Sequence, residues 1–257
     1  MTYVGVDETG TVNPIDVENA IRRDTILISV MHANNETGAV QPISEIGEIG
    51  RKHGIKVHTD AAQSIGKLPV DVDELGVDLL SIAGHKCYAP KGIGALYIRP
   101  GTPIAPFIHG AGHEQGRRAG TESVPLIASL GKAAELAAES LQHREEIRHL
   151  RDDFYRGLKA LFGKRIIWNS EQASLLPNTL NVSFMGFTGA DFLANIPEIA
   201  ASTGSACHSG IVELSSVLKA MAVKEEAGKG TVRFSLGKWT TEEDIREALE
   251  LIRSRCD

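Results

Sequence analysis

Apolar positions in the first hundred residues fall into short continuous runs separated by polar turns. Thr25-Ile26-Leu27-Ile28-Ser29-Val30-Met31, Ile55-Lys56-Val57 leading to Asp60, Val77-Asp78-Leu79-Leu80-Ser81 and Gly94-Ala95-Leu96-Tyr97-Ile98 each read as a strand. The first of these, a continuous apolar run, is of the kind that a parallel strand buried on both faces shows. Between them the spacing turns helical: a short helix opens at Asn13-Pro14-Ile15-Asp16 and runs through Arg23, a second spans about Ile43 to His53, and a third, short one precedes Val77. Strands alternating with helices imply βαβ units.

Residues 100–120, rich in Gly, Pro, His and Arg, read as a long loop, and such loops usually work. From Thr121 to about Phe162 the pattern is helical, with a break near Ser140. Beyond it, Arg165–Trp168, Asn178–Phe184 and Gly230–Leu236 read as strands, interleaved with helices near Ala190–Asn195, Glu213–Met221 and Thr241–Arg253. Ser205-Ala206-Cys207-His208-Ser209-Gly210 has poor helix and strand character and reads as a mobile loop. The expected organisation is an α/β large domain over 1–120, bridging helices over 121–162 and a small α+β domain over 163–257.

At 257 residues, 42% hydrophobic and 23% charged, the chain can hold a sizeable core. A net charge of −6 without a basic block argues against nucleic acid as a partner. Cys87, Cys207 and Cys256 form neither an even set nor a Cys-x-x-Cys pair, so no disulfide framework and no metal site is read, and a reducing compartment fits. No apolar run reaches membrane-spanning length, and no membrane is expected. A soluble cytoplasmic protein is the expectation; an organelle-targeting segment removed beforehand would leave no mark here.

The chemistry centres on Ser81-Ile82-Ala83-Gly84-His85-Lys86, where a small-residue turn delivers His85 and Lys86 just past an apolar strand. A lysine there can lose hydration and condense with an aldehyde; taken alone, it also reads as a solvated loop lysine. Asp60, in His58-Thr59-Asp60-Ala61-Ala62-Gln63, follows another strand, at the end where α/β sheets bind ligands. An amine and an acid so placed suit pyridoxal phosphate, whose ring nitrogen needs a carboxylate. Asp60 taken alone is more often a helix N-cap.

These two motifs, together with Tyr88, Pro90-Lys91-Gly92-Ile93-Gly94 and the later Ser202-Thr203-Gly204-Ser205-Ala206-Cys207, resemble the class V, NifS-type cysteine desulfurases across essentially the whole chain. The resemblance implies a fold-type I, pyridoxal-phosphate-dependent transferase: a partial, mostly parallel large domain and a C-terminal α+β small domain. It implies that L-cysteine is converted to L-alanine while its sulfur passes to the enzyme as a persulfide, for iron–sulfur assembly or another sulfur acceptor.

By the same resemblance Lys86 binds the cofactor and moves protons at the substrate α carbon, Asp60 faces the ring nitrogen and Gln63 lies near the ring oxygen. His85 matches a phosphate ligand, and Asn35 matches the asparagine beside cofactor and amino acid. Thr121 matches a threonine that reaches the phosphate of a neighbouring subunit, which implies a homodimer. Cys207 matches the nucleophile that takes the sulfur, and Arg233 the clamp on the substrate carboxylate. Read without the family, His85 is as readily structural, Thr121 a helix cap, Cys207 an inert thiol and Arg233 part of a solvated strand face.

Two departures qualify the expectation. Family members carry roughly a further third of chain before the point matching Met1, including opening strands, a Gly/Thr phosphate turn and a histidine that stacks on the ring. Ala83 stands where the family commonly has a serine. Each lost contact removes about 1–3 kcal/mol, so the chain is expected to be a fragment, a truncated isoform or half of a split enzyme, weakened or silent, with an apolar sheet edge or face uncovered. Selenocysteine lyase, a catalytically silent partner of a full-length subunit, and a cysteine hydrolase using Cys207 stand as alternatives.

Overall fold

The computed structural model describes residues 1–208 and 211–256, and of residues 205–208, 211 and 212 the backbone only. In chain order the elements are α1 (Pro14–Asn19), β1 (Leu27–Met31), α2 (Ile43–His53), β2 (Lys56–Asp60), β3 (Leu79–Ala83) and β4 (Gly94–Ile98). After the single turn α3 (His113–Gly116) come α4 (Val124–Ser140), α5 (Arg144–Phe162), β5 (Ile166–Trp168), β6 (Thr179–Phe184) and α6 (Gly189–Ala194). The chain closes with β7 (Ser202–Thr203), β8 (Ser205–His208), β9 (Ile211–Leu214), α7 (Ser216–Ala220), α8 (Glu225–Lys229), β10 (Thr231–Ser235) and α9 (Glu242–Cys256).

These elements divide into two compact units. The first comprises Met1–Ala20, Ala33–Pro42 and Gln142–Asp257, and the second Ile21–His32 and Ile43–Leu141. The break near Ser140 is real: α4 ends there, a 3₁₀ turn over Leu141–His143 follows, and α4 and α5 fall in different units.

The second unit is built on a sheet in the order β1-β2-β3-β4, with the first three strands parallel and β4 antiparallel to β3. Side chains alternate between faces, and Ile28, Val57, Thr59 and Leu80 are buried on one of them. Helix α2 packs closely against β2, since a Cβ added at Gly50 would come within 2.2 Å of Val57 Cγ2. The opposite face carries Leu27, Ser29, His58, Asp60 and Ser81, and Leu27 is 46% exposed. The short helix read before Val77 is instead a run of turns over residues 72–76: Asp71 Oδ1 caps the N–H groups of Asp73 and Glu74, a single bond from the Leu75 N–H to the Asp71 carbonyl follows, and Gly76 at φ 64° ends the turn.

The first unit holds an antiparallel sheet in the order β5-β6-β10-β7. Leu180, Val182, Phe184, Val232 and Phe234 point to one face and meet Phe154, Leu158 and Phe162 of α5, Phe192 of α6 and Ile245 and Ile252 of α9. The aromatic rings interlock, with Phe184 stacked on Phe192 at 3.9 Å and edge-on to Phe162 at 5.0 Å between centroids.

Two expectations fail in this unit. Residues 205–208 form β8, paired antiparallel with β9, where a loop without strand character was expected, and β9 occupies the start of the expected helix Glu213–Met221. Cross-strand pairing supplies what the small, polar side chains lack in propensity. The helix begins only at Ser216, where Ser215 Oγ caps the N–H of Leu218.

Candidate active site

In the second unit the carboxyl ends of three parallel strands lie side by side, and each delivers a polar group. β1 leads into His32, whose N–H donates to the Asp60 carbonyl at 2.8 Å. β2 ends at Asp60, whose Oδ1 accepts the N–H of Ala62 at 2.8 Å, so the carboxylate is fixed by the turn that also presents Gln63. β3 runs into a 3₁₀ turn, Gly84–Cys87, carrying His85 and Lys86, both exposed. Gly84 is required there: a Cβ would sit 2.8 Å from the Ile93 carbonyl oxygen. Cys87 is buried with Ala89 against Ala133 and Ala137 of α4, so its thiol is a packing group that anchors the lysine turn. Thr121 precedes α4 and is exposed.

Just behind this edge a polar row crosses the sheet. Ser29 Oγ bonds to His58 Nδ1 at 2.8 Å, and His58 Nε2 to Ser81 Oγ at 2.9 Å. Burial pushes the His58 imidazole below its ordinary pKa, with Asp60 opposing the shift. Burial likewise lowers His32, whose Nδ1 has no partner among the described residues. Lys67 is a further finding that residue order did not suggest. Burial, and secondarily the Lys86 charge, bring its pKa down to about 8, while its Nζ donates to the Gln63 carbonyl at 2.9 Å.

The first unit joins Asn35 and Arg233, which lie 198 positions apart. Arg233 Nη1 donates to the Asn35 carbonyl at 2.8 Å and Nη2 to Ser202 Oγ at 3.0 Å, while its buried Nε has no partner among the described residues. Arg233 stands opposite Asn181 on β6, whose Nδ2 donates to the Glu36 carbonyl at 3.0 Å. Behind it Asn169, Asn181, Ser183 and Thr231 are linked by hydrogen bonds of 2.8 to 2.9 Å. Alternation along Thr179-Leu180-Asn181-Val182-Ser183 marks the polar face, but not that all of it is buried. The backbone of Cys207 lies in β8 opposite Val212; its side chain, and all of Ser209 and Gly210, fall outside the described residues.

The sequence profile of the aminotransferase class-V family matches residues 1–248. The chain belongs to that family. Among class-V relatives it is 47% identical over 255 residues to the cysteine desulfurase IscS of Dictyoglomus turgidum and 48% identical over 255 residues to that of Methanosarcina thermophila. Each match takes in 98% of this chain but 64% and 63% of the relative, so the chain spans just under two thirds of the length of these curated relatives. A solved NifS-like protein superposes with a TM-score of 0.90 at 38% identity, over 98% of this chain and 67% of that one. The α/β fold is therefore that of the NifS-like class-V enzymes, a family that depends on pyridoxal phosphate.

The donor set fits that cofactor. An amine, a carboxylate and an amide gather at the carboxyl edge of one sheet, where Lys86 is open to a ligand and Asp60 is already oriented. Among the described residues no group of acidic, cysteine and histidine side chains is arranged to hold a metal ion, and no helix is long and apolar enough to cross a membrane.

Proposed function

We propose that this chain carries the working residues of a pyridoxal-phosphate-dependent cysteine desulfurase, which moves sulfur from L-cysteine to Cys207 and releases L-alanine. The observation that carries the reading is an acid at the end of β2 and an amine in the turn after its neighbour β3, in a chain of the class-V family. When bound, pyridoxal phosphate supplies a reactive aldehyde and a ring that accepts electrons.

The chain's own groups divide the remaining work. Lys86 would hold the cofactor through its aldehyde and move protons at the substrate α carbon, Asp60 would keep the ring nitrogen protonated, and Gln63 would serve the ring oxygen. His85 and Thr121 serve the phosphate. Arg233 offers its guanidinium to the substrate carboxylate, held for that purpose by Asn35 and Ser202. The Cys207 thiolate attacks the substrate sulfur: a sulfur–sulfur bond forms, the carbon–sulfur bond breaks with its electron pair left on carbon, and protonation of that carbon gives alanine. The persulfide then passes to an acceptor, an iron–sulfur scaffold protein among the candidates.

A homodimer using Thr121, in the cytoplasm, is part of the proposal. Support for the dimer is the exposed apolar residues that flank Thr121 along the chain, Phe107, Ile108, Val124 and Ile127.

The test is the absorbance spectrum of the purified chain with added pyridoxal phosphate, followed by alanine release from L-cysteine. A borohydride-sensitive band lost in Lys86→Ala, with alanine release lost in Cys207→Ala, is the expected result. A folded chain that gives neither band nor alanine would overturn the assignment.

A further inference from the structure

We infer that Glu36 is a positioning residue that ties the Asn35–Arg233 pair to the foot of the hairpin carrying Cys207. Glu36 lies in the loop after Ala33, where Asn34 Oδ1 accepts the N–H groups of Glu36 at 2.8 Å and Thr37 at 3.0 Å. Its main chain is held from the sheet by Asn181, and the preceding carbonyl, that of Asn35, receives Arg233. Its carboxylate accepts the Ser215 hydroxyl, with Oγ to Oε1 at 2.7 Å.

Ser215 is the residue at which the hairpin closes. Its N–H donates to the Gly204 carbonyl at 3.1 Å, and the Gly204 N–H donates to Thr231 of β10 at 2.9 Å. Strands β8 and β9 run between these two positions. Gly204 fits tightly, since a Cβ there would lie 2.6 Å from Thr231 Cγ2. Ser215 Oγ also accepts the Leu218 N–H at 3.1 Å, so one hydroxyl joins the start of α7 to Glu36. The carbonyl beside Arg233 and the foot of the hairpin thus meet in a single side chain.

The choice of a carboxylate is informative. Glu36 is half-buried, and burial raises its pKa against the bond from Ser215 and the charge of Arg233. A neutral acceptor would serve Ser215 at a smaller desolvation cost. The charge adds an attraction to the Arg233 guanidinium, whose own hydrogen bonds go to the Asn35 carbonyl and Ser202.

The inference rests on the preceding section only for the roles of Cys207 and Arg233, and it can be tested without cofactor. Amide hydrogen exchange and iodoacetamide labelling of Cys207 would be followed by peptide mass spectrometry in the full chain, with Glu36→Ala, Glu36→Gln and Ser215→Ala. Glu36→Ala and Ser215→Ala should each speed exchange across residues 204–215 and change Cys207 labelling by about tenfold or more, the scale of a lost hydrogen bond to a charged group. The double variant should match Ser215→Ala, which by itself loses both the Glu36 bond and the Leu218 cap, and Glu36→Gln, which keeps an acceptor but not the charge, should fall between wild type and Glu36→Ala. Should Glu36→Ala fail to fold, Ser215→Ala carries the comparison alone. Unchanged rates, or acceleration spread equally over β6 and β10, would overturn the inference. A missing cofactor band would instead overturn the desulfurase reading and leave this one standing.

Discussion

In the first unit the β5-β6-β10-β7 sheet is sealed on its apolar face by Phe154, Phe162, Phe184, Phe192 and Phe234, whereas in the second the β1-β2-β3-β4 sheet leaves Leu27 and Leu96 46% and 45% exposed. The polar groups differ in the same sense. Arg233 is fixed by two hydrogen bonds above a buried polar ladder, while His85 and Lys86 stand in solvent at the end of a short turn. The half proposed to read the substrate carboxylate is ordered by its own fold. The half proposed to take the cofactor presents its amine openly, and the lysine that gives up water is Lys67.

The largest effect expected from that contrast is on stability. Phe184→Ala should cost about 3–5 kcal/mol, as removal of a fully buried aromatic does, and Leu96→Ala about 0.5 kcal/mol or less, as surface changes do. Urea unfolding followed by tryptophan fluorescence would measure the first, and hydrogen exchange in β3 and β4 the second. Equal losses would mean that the two units do not differ in packing as described.

A smaller effect concerns the lysine pair. Lys67 has a pKa near 8 in the folded chain against an ordinary 10.5, so between those values the unfolded chain holds more protons and stability should rise with pH. Lys67→Met should remove that rise. Carbon-13 NMR of reductively methylated lysines should find the Lys67 midpoint near 8 and see it move upward in Lys86→Ala, where a like charge is lost. A midpoint near 10.5 in the wild-type chain would contradict the burial described for Lys67.

Much of the fold was legible because it is periodic. The runs at Leu27–Met31 and Gly94–Ile98, the helix Ile43–His53 and the helical break near Ser140 all follow from local pattern. The β8–β9 hairpin was not legible, because Ser205-Ala206-Cys207-His208 has weak strand propensity and its partner lies beyond a turn. Asp60 and Lys86 were legible as strand-end residues. The contact between Asn35 and Arg233 depends on chain closure over 198 positions, which no local pattern encodes. Glu36 and Ser215 were missed for the same reason, since neither residue signals alone that its partner is the other.

The most direct test of the account asks which amine the cofactor finds. The chain would be treated with pyridoxal phosphate, reduced with borohydride, digested and mapped by mass spectrometry, with Lys86, Lys67 and Lys91 as the competing positions. Label confined to Lys86 is the predicted result, since Lys86 is exposed in the turn after β3, the strand paired with the one that ends at the oriented Asp60. Label on Lys67 or Lys91 with Lys86 unmodified, or scattered over surface lysines alike, would contradict it.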